Sequence, residues 1–263
     1  LKIPSGLTFD LNKSLEQQNK ILIFLAKELD FESYNSFLKA HNIDNLLQWS
    51  EKEIKTKFRI LFCYDLESDN LFNYKDEFSK FNFEIVFVKN PNRGPLHAIK
   101  EGFKNGNSDC VIVYPADDFL NFNILDKMYY DFKKGSQIVV ASRFIKGGSM
   151  KNCPIVKSAL VRAASYSLYY LSSIPVKDAS NGFRLFSRKL LNEVEIESEV
   201  GFAYSLELLA KCNRLKYKIS EVPAIWEERS EGQSRFKIFK WLPQYLKWYV
   251  YGILTTWLKL KKL

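Results

Sequence analysis

Residues 83–118, FEIVFVKNPNRGPLHAIKEGFKNGNSDCVIVYPADD, decide the fold. Phe83–Val88 is a short run of β-branched and aromatic residues, Pro91–Gly94 is a turn, and Leu96–Phe103 carries a helical apolar pattern. Cys110–Tyr114 is a second apolar run, stopped by Pro-Ala-Asp-Asp. Two short apolar strands flanking one helix read as a β-α-β unit, because a helical crossover returns the chain to the same end of a parallel sheet.

The pattern continues outward. Phe58–Tyr64 (FRILFCY), ended by Asp65, and Gln137–Ala141 (QIVVA) are two more strands, with helices expected over Asn70–Phe81 and Asn123–Lys133. Continuous apolar strands are buried on both faces, so the expected class is α/β, a mostly parallel, doubly wound sheet with helices on both faces. Ligands of such sheets bind beyond the carboxyl ends of the strands. Asp65, Lys89, Asp117 with Asp118, and Ser142 with Arg143 all fall there. Further on, Pro154–Ser172 and Ala203–Asn213 read as helices, Val176–Phe186 as a loop and short strand, and Lys218–Trp226 as a strand interrupted by Pro223. Three regions follow: an atypical, polar and mostly helical N-terminal region, 1–57, which also has to hold any first strand; an α/β domain, 58–235; and an aromatic, basic C-terminal segment, 236–263.

With 46% hydrophobic and 26% charged residues, the 263-residue chain is neither disordered nor collagen-like. The net charge of +9 implies an anionic partner without naming it. Basic residues are dispersed and no RNP-type aromatic motif occurs, so nucleic acid is not expected. Cys63, Cys110, Cys153 and Cys212 stand far apart with no C-x-x-C and only two histidines, a pattern of buried thiols in a reducing compartment rather than a zinc site. Leu1–Asp10 lacks a basic stretch followed by an apolar run, so no signal peptide is expected there and the location reads as cytoplasmic.

Adjacent carboxylates at a strand end repel unless a cation neutralises them, and hard oxygen donors suit Mg²⁺ or Mn²⁺. Asp117 and Asp118 fit that pattern; they fit equally well as caps of the helix that follows. Arg143 precedes Gly147-Gly148, which read as a flexible loop; Arg184 follows Gly182; Arg229 and Arg235 flank a Gly/Ser turn. A guanidinium matches phosphate oxygens, although any one of these arginines alone reads as a solvated charge. Beside an acidic metal site they indicate a diphosphate leaving group and a phosphate acceptor.

The order Gly94…Ala98…Gly102, Pro115-Ala-Asp117-Asp118, Ala141-Ser-Arg143-Phe…Gly147-Gly148, Asp178…Asn181-Gly182-Phe183-Arg184-Leu-Phe and Glu221-Val-Pro223…Arg229…Gly232-Gln-Ser234-Arg235 resembles the family 2 glycosyltransferases. It is most similar to the dolichol-phosphate mannosyltransferase-like, polyprenyl-phosphate branch, and the likeness runs from about Phe58 to about Phe239. The resemblance implies a GT-A fold with a Rossmann-like, nucleotide-binding half. It also implies a metal-dependent, inverting hexosyltransferase that moves a sugar from a GDP- or UDP-sugar to a dolichyl or undecaprenyl phosphate. By position, Asp65 matches the residue that holds the nucleoside, and Asp117, with Asp118, the metal site. Arg229 and Arg235, with Ser234, match the clamp on the donor diphosphate. Arg143 matches the arginine near the acceptor phosphate, joined by Arg162 and Ser165 on the next helix. Asp178 is the carboxylate that would serve as base if the acceptor were a saccharide hydroxyl in surface-polysaccharide assembly. A non-catalytic nucleotide-sugar-binding scaffold is the remaining alternative. Pro115 stands where the family's acidic motif begins with Asp, and Ala40-His41-Asn42 where its Pro-x-Tyr-Asn-Glu motif should end.

From Phe236 to Leu263, tryptophans and tyrosines alternate with lysines, a composition suited to headgroup depth in a bilayer. Only 11 residues separate Lys247 from Lys259, short of the ~20 a spanning helix needs. The expectation is an amphipathic helix lying on the cytoplasmic face of the membrane. A helix packed on the core, a homo-oligomer contact and a membrane partner are its alternatives.

Overall fold

The computed structural model describes residues 22–23, 59–67, 72, 84–115, 118, 120–227 and 238–257. The boundaries expected at 57/58 and 235/236 and most of the helix expected over 70–81 lie outside them. The chain divides into two compact units, Leu1–Gly102 with Pro115–Phe119, and Phe103–Tyr114 with Leu120–Leu263.

The first unit holds a three-stranded sheet of β1 (Leu22–Ile23), β2 (Arg59–Tyr64) and β3 (Glu84–Lys89), in that order. β2 and β3 run parallel in register from Arg59 opposite Glu84 to Tyr64 opposite Lys89, and β1 adds antiparallel. β2 is apolar at every position after Arg59 and is buried throughout that run, as expected of a strand covered on both faces. Phe62 and Phe87 stack across the pair at 5.6 Å. Helix α1 (Pro95–Asn105) begins at Pro95, whose missing N–H costs nothing in a first turn.

The second unit is built on a four-stranded sheet in the order β4 (Cys110–Val113), β7 (Arg184–Ser187), β5 (Ile138–Ser142), β8 (Ile219–Pro223). β5 and β8 are parallel, as the sequence indicates, but β7 enters antiparallel to both β4 and β5. The sheet is therefore mixed. Continuous apolar runs report burial and not direction, so Leu185-Phe186 carries no mark of its reversed course. A parallel ribbon joins β6 (Ser149–Lys151) to β9 (Ile225–Glu227). The core gathers Ile138–Ala141, Phe183, Leu185, Phe186, Tyr204 and Leu208 at essentially zero exposure.

Helices α2 (Leu125–Lys133), α3 (Ile155–Leu171), α4 (Arg188–Glu193), α5 (Ala203–Arg214) and α6 (Ile238–Trp257) complete this unit. α6 is docked firmly. Trp248 is buried with its indole N–H donating to Ser198 at 2.9 Å, Tyr249 donates to Ser167 at 2.7 Å, and Tyr251 accepts from Arg214 at 2.6 Å. Gly252 lets the helix close in, since a Cβ there would lie 3.2 Å from Ile174. Trp241, Tyr245, Trp248, Tyr249 and Tyr251 of α6 are thus buried or half-buried against the protein, and its exposed row is aliphatic: Leu242, Leu246, Val250 and Leu254, each 42–50% exposed.

Candidate active site

β5 ends in Ser142, and the next residue, Arg143, is held from three directions. Its Nε and Nη2 donate to the two carboxylate oxygens of Asp178 at 2.7 and 2.8 Å, and its backbone N–H donates to the same carboxylate at 2.9 Å. Nη2 also donates to the Ser180 hydroxyl at 2.6 Å. Asp178 is 0% exposed and Arg143 8%. Burial pushes the Asp178 carboxyl up, but the hydrogen bonds and charge of Arg143, with Ser180, outweigh it and hold the group below its usual value. Asp178 is itself fixed, its backbone N–H donating to Glu221 of β8 at 3.0 Å.

The 178–184 segment is pinned against the end of β5. Asn181 donates to the Ala141 carbonyl at 2.6 Å and accepts the Phe183 N–H at 3.1 Å. Arg184 is fully buried and donates to the carbonyls of Asn181, Ala179 and Ser205. Burial pushes its pKa down to about 10. The Arg184 guanidinium is a bracket for the chain, and the phosphate-binding reading of that residue is corrected accordingly. Gly147-Gly148 is likewise no flexible loop. A Cβ on Gly148 would lie 2.3 Å from the Ser142 carbonyl oxygen, so glycine is what lets the turn fold back on Arg143.

The second cation reaches the same place from α3. Arg162 lies over the Phe144 ring at 4.7 Å, with Arg143 at 5.1 Å from that ring, and Arg162 Nε donates to Ser158 at 3.4 Å. Two guanidinium groups thus share one aromatic ring, each held by a cation–π contact. Ser165, one turn below Arg162, is buried, and its hydroxyl has no partner among the described residues.

In the first unit, Asp65 follows β2. Its carboxylate accepts the Asn90 side-chain amide at 2.7 Å and the Gly94 N–H at 3.3 Å. Asn90 also donates to the Gly94 carbonyl at 3.3 Å, closing a loop in which Gly94 has φ +112°. Lys89 is exposed and bridges Glu67 at 2.7 Å, an ordinary surface pair. Asp118 is half-buried in a turn closed by its N–H donating to the Pro115 carbonyl at 3.1 Å. Among the described residues no three His, Cys, Asp or Glu side chains gather as a metal cage. A catalytic Mg²⁺ or Mn²⁺ does not require one, since such an ion is held by one or two carboxylates plus substrate phosphates. Asp118 can be one of them. Asp117, Arg229, Ser234 and Arg235 lie outside the described residues.

The sequence matches the family described as Glycosyl transferase family 2 over residues 33–195, more than half of the chain. The chain belongs to that family. Within it, the chain is 31% identical over 156 residues to the dolichol-phosphate mannosyltransferase of Pyrococcus furiosus, covering 57% of this chain and 43% of that one. It is 23% identical over 119 residues to the polyprenol monophosphomannose synthase of Mycolicibacterium smegmatis, covering 41% of this chain and 45% of that one. The matched stretches thus span less than half the length of these relatives. Among solved structures it resembles glucosyl-3-phosphoglycerate synthase from Mycobacterium tuberculosis in complex with UDP. The TM-score is 0.51 at 13% identity, over 73% of this chain and 68% of that one. At that identity the likeness shows the fold, a mixed α/β fold of GT-A type.

In this family 2 glycosyltransferase, then, Arg143, Asp178 and Arg162 of the expected site are brought together, with Ser165 beneath. Sequence reasoning missed Phe144, Ser180 and Asn90. Phe144 sits in the quoted Ala-Ser-Arg-Phe block, and Asn90 directly follows the strand-end Lys89, so both were within reach as neighbours of flagged residues. Ser180 carries no signal in the sequence.

Proposed function

We propose that the chain transfers a sugar from a nucleotide-sugar to a polyprenyl phosphate at the membrane surface, with Arg143 and Arg162 receiving the acceptor phosphate. The observation that carries this reading is the state of Asp178. A saccharide hydroxyl needs a base, and Asp178 was the carboxylate suited to it. Buried, with both oxygens engaged by Arg143, it is a poor proton acceptor and a good anchor. A phosphate monoester is already ionised at pH 7 and needs no base. The names of the relatives point to the same acceptor class, and to mannose as the sugar.

In this reading an acceptor phosphate oxygen forms a bond to the anomeric carbon as the bond to the donor's diphosphate breaks on the opposite face, inverting the configuration. Asp178 and Ser180 fix Arg143, and Phe144 orders Arg162 beside it, so that two cations meet the acceptor without reorganising. Arg229 and Arg235, with Ser234, take the donor diphosphate, and Asp65 shapes the 90–94 loop beside the nucleoside. Mg²⁺ or Mn²⁺, held by Asp117 and Asp118, would neutralise charge growing on the leaving group.

The membrane part of the proposal rests on exposed apolar surface. Of the eleven large hydrophobics exposed among the described residues, nine lie on α3 and α6, including Ile155 at 87% and Leu160 at 66%. Exposed apolar side chains concentrated on two helices that touch through Tyr249 and Ser167 suit an interaction surface. Among the described residues no helix is long and apolar enough to cross a membrane. A surface contact, made through leucines rather than the tryptophans first expected, fits both facts.

The test is turnover of GDP- and UDP-sugars with Mn²⁺, with polyprenyl phosphate, with a saccharide, or with neither. Turnover only with the lipid phosphate supports the proposal. Turnover with the saccharide alone refutes the acceptor assignment, and metal-dependent nucleotide binding without turnover leaves the scaffold.

A further inference from the structure

Arg184 opens β7, and the antiparallel entry of that strand sets its start, opposite Val140, beside the end of β5 that leads into Arg143. The guanidinium is 0% exposed, and each of its hydrogen bonds among the described residues ends on a backbone carbonyl rather than a carboxylate. Nη2 donates to Ala179 at 2.6 Å and Nε to Asn181 at 2.7 Å, gripping the chain on both sides of Ser180. Nη1 donates to Ser205 in the first turn of α5. A guanidinium fork holds its donors at fixed angles, so two carbonyls taken by one such group are kept at a set separation. Ser180, between them, is exposed, so packing does not fix it. Its hydroxyl still has a defined place, accepting from Arg143 at 2.6 Å and donating to Asp178 at 3.1 Å. A cation buried without a carboxylate in contact costs more than an apolar side chain of the same volume. Filling the core does not by itself account for Arg184.

We infer that Arg184 is a positioning residue for the acceptor phosphate: by gripping the turn behind Ser180, it fixes the hydroxyl and the Asp178 carboxylate that align the Arg143 guanidinium. This deepens the proposed glycosyltransfer and rests on it for the identity of the anion. Every group in the relay, from Ser205 through Arg184 and Ser180 to Arg143, lies in the second unit. A phosphate taken by a guanidinium through parallel N–H bonds depends on the plane of that group. If the turn shifts, Ser180 and Asp178 no longer set the plane, and the phosphate has to order Arg143 as it binds. Arg184 meets no phosphate itself, because it is buried and its donors are taken.

The experiment compares the wild-type chain with Arg184→Lys, Ser180→Ala and the double variant. KM for polyprenyl phosphate, KM for the nucleotide-sugar, kcat and melting temperature are measured on each. Lysine keeps the buried charge and loses the fork. The expected result for Arg184→Lys is an acceptor KM raised about tenfold, the factor that one or two lost net hydrogen bonds provide, with donor KM within about twofold. Ser180→Ala should raise the acceptor KM by a smaller factor. The double variant should fall short of the product of the two, since both act through one hydroxyl. A merely structural bracket would lower the melting temperature and leave the two KM values in their wild-type ratio. That outcome overturns the inference, as does a double variant equal to the product. If Arg184→Lys does not fold, Arg184→Gln, which buries no charge, decides by the same readouts; failure of both to fold assigns Arg184 to the core and overturns the inference. If the wild-type chain turns over no sugar, the function falls, and the bracket is judged by the melting shift that farnesyl phosphate produces. A smaller shift in Arg184→Lys than in wild type supports it; equal shifts, or none in wild type, refute it.

Discussion

Neutralising Asp178 is the perturbation with the largest expected consequence. Asp178→Asn keeps the shape of the side chain but removes the charge opposing Arg143, three of whose N–H groups point at that carboxylate within 2.9 Å. With the side chains 9% and 0% exposed, solvent cannot replace the lost partner. Removing one member of a buried pair costs about 3–5 kcal/mol, because the other charge is left uncompensated. In a chain this size that lowers the melting temperature by roughly 10 °C, a large share of the 5–15 kcal/mol or so typical of folded proteins. The assay is urea unfolding of Asp178→Asn, Arg143→Met and the double variant. Each single change is expected to cost heavily and the double change much less than their sum, since replacing both charges by neutral groups is often tolerated. The pH dependence has a definite sign. The folded-state pKa lies below the unfolded value near 3.8, so the pair's contribution is complete above that value and is lost as pH falls through the lower folded one. Wild type and variant should therefore converge in strong acid. Costs that add within about 0.5 kcal/mol, or a gap that persists at low pH, would refute the coupling.

Other expectations are smaller in scale. Gly201→Ala should lose about 1–3 kcal/mol in urea, because φ is +59° and the new Cβ would lie 2.7 Å from Trp241; an unchanged midpoint would contradict that packing. Burial pushes the Cys63 and Cys212 thiols up to about 12, so at pH 8 neither should react with a thiol reagent until the protein is denatured. Leu246→Glu with Val250→Glu should release the chain from anionic vesicles without lowering its melting temperature, since both side chains are outside the core; undiminished co-sedimentation would exclude α6 from the contact.

The strands β2, β3, β4 and β5 and the helices α1 and α2 were legible because burial on both faces writes itself as apolar runs of fixed length. The family was legible too, since its blocks keep their residue types and order. The antiparallel entry of β7 was not. Strand direction depends on which neighbour is available when the sheet closes, and Leu185-Phe186 looks the same running either way. The short β6 escaped notice for a related reason, having three residues and too few to show a period, whereas β9 falls at the far end of the Lys218–Trp226 strand that Pro223 interrupts.

At the site, the sequence by itself determined the chemical inventory: acids closing one strand, arginines after others, and a net positive chain that wants an anionic partner. Only the tertiary structure decided which charges are free to act. Arg143, Arg162 and Arg184 are the same residue type, with the same guanidinium to offer a phosphate. Yet Arg184 is spent on three backbone carbonyls, while Arg143 is aligned by Asp178 and shares the Phe144 ring with Arg162. A charge's role is set by what surrounds it within a few ångströms, and those neighbours, Asp178 at 35 residues from Arg143 among them, come together only when the chain folds.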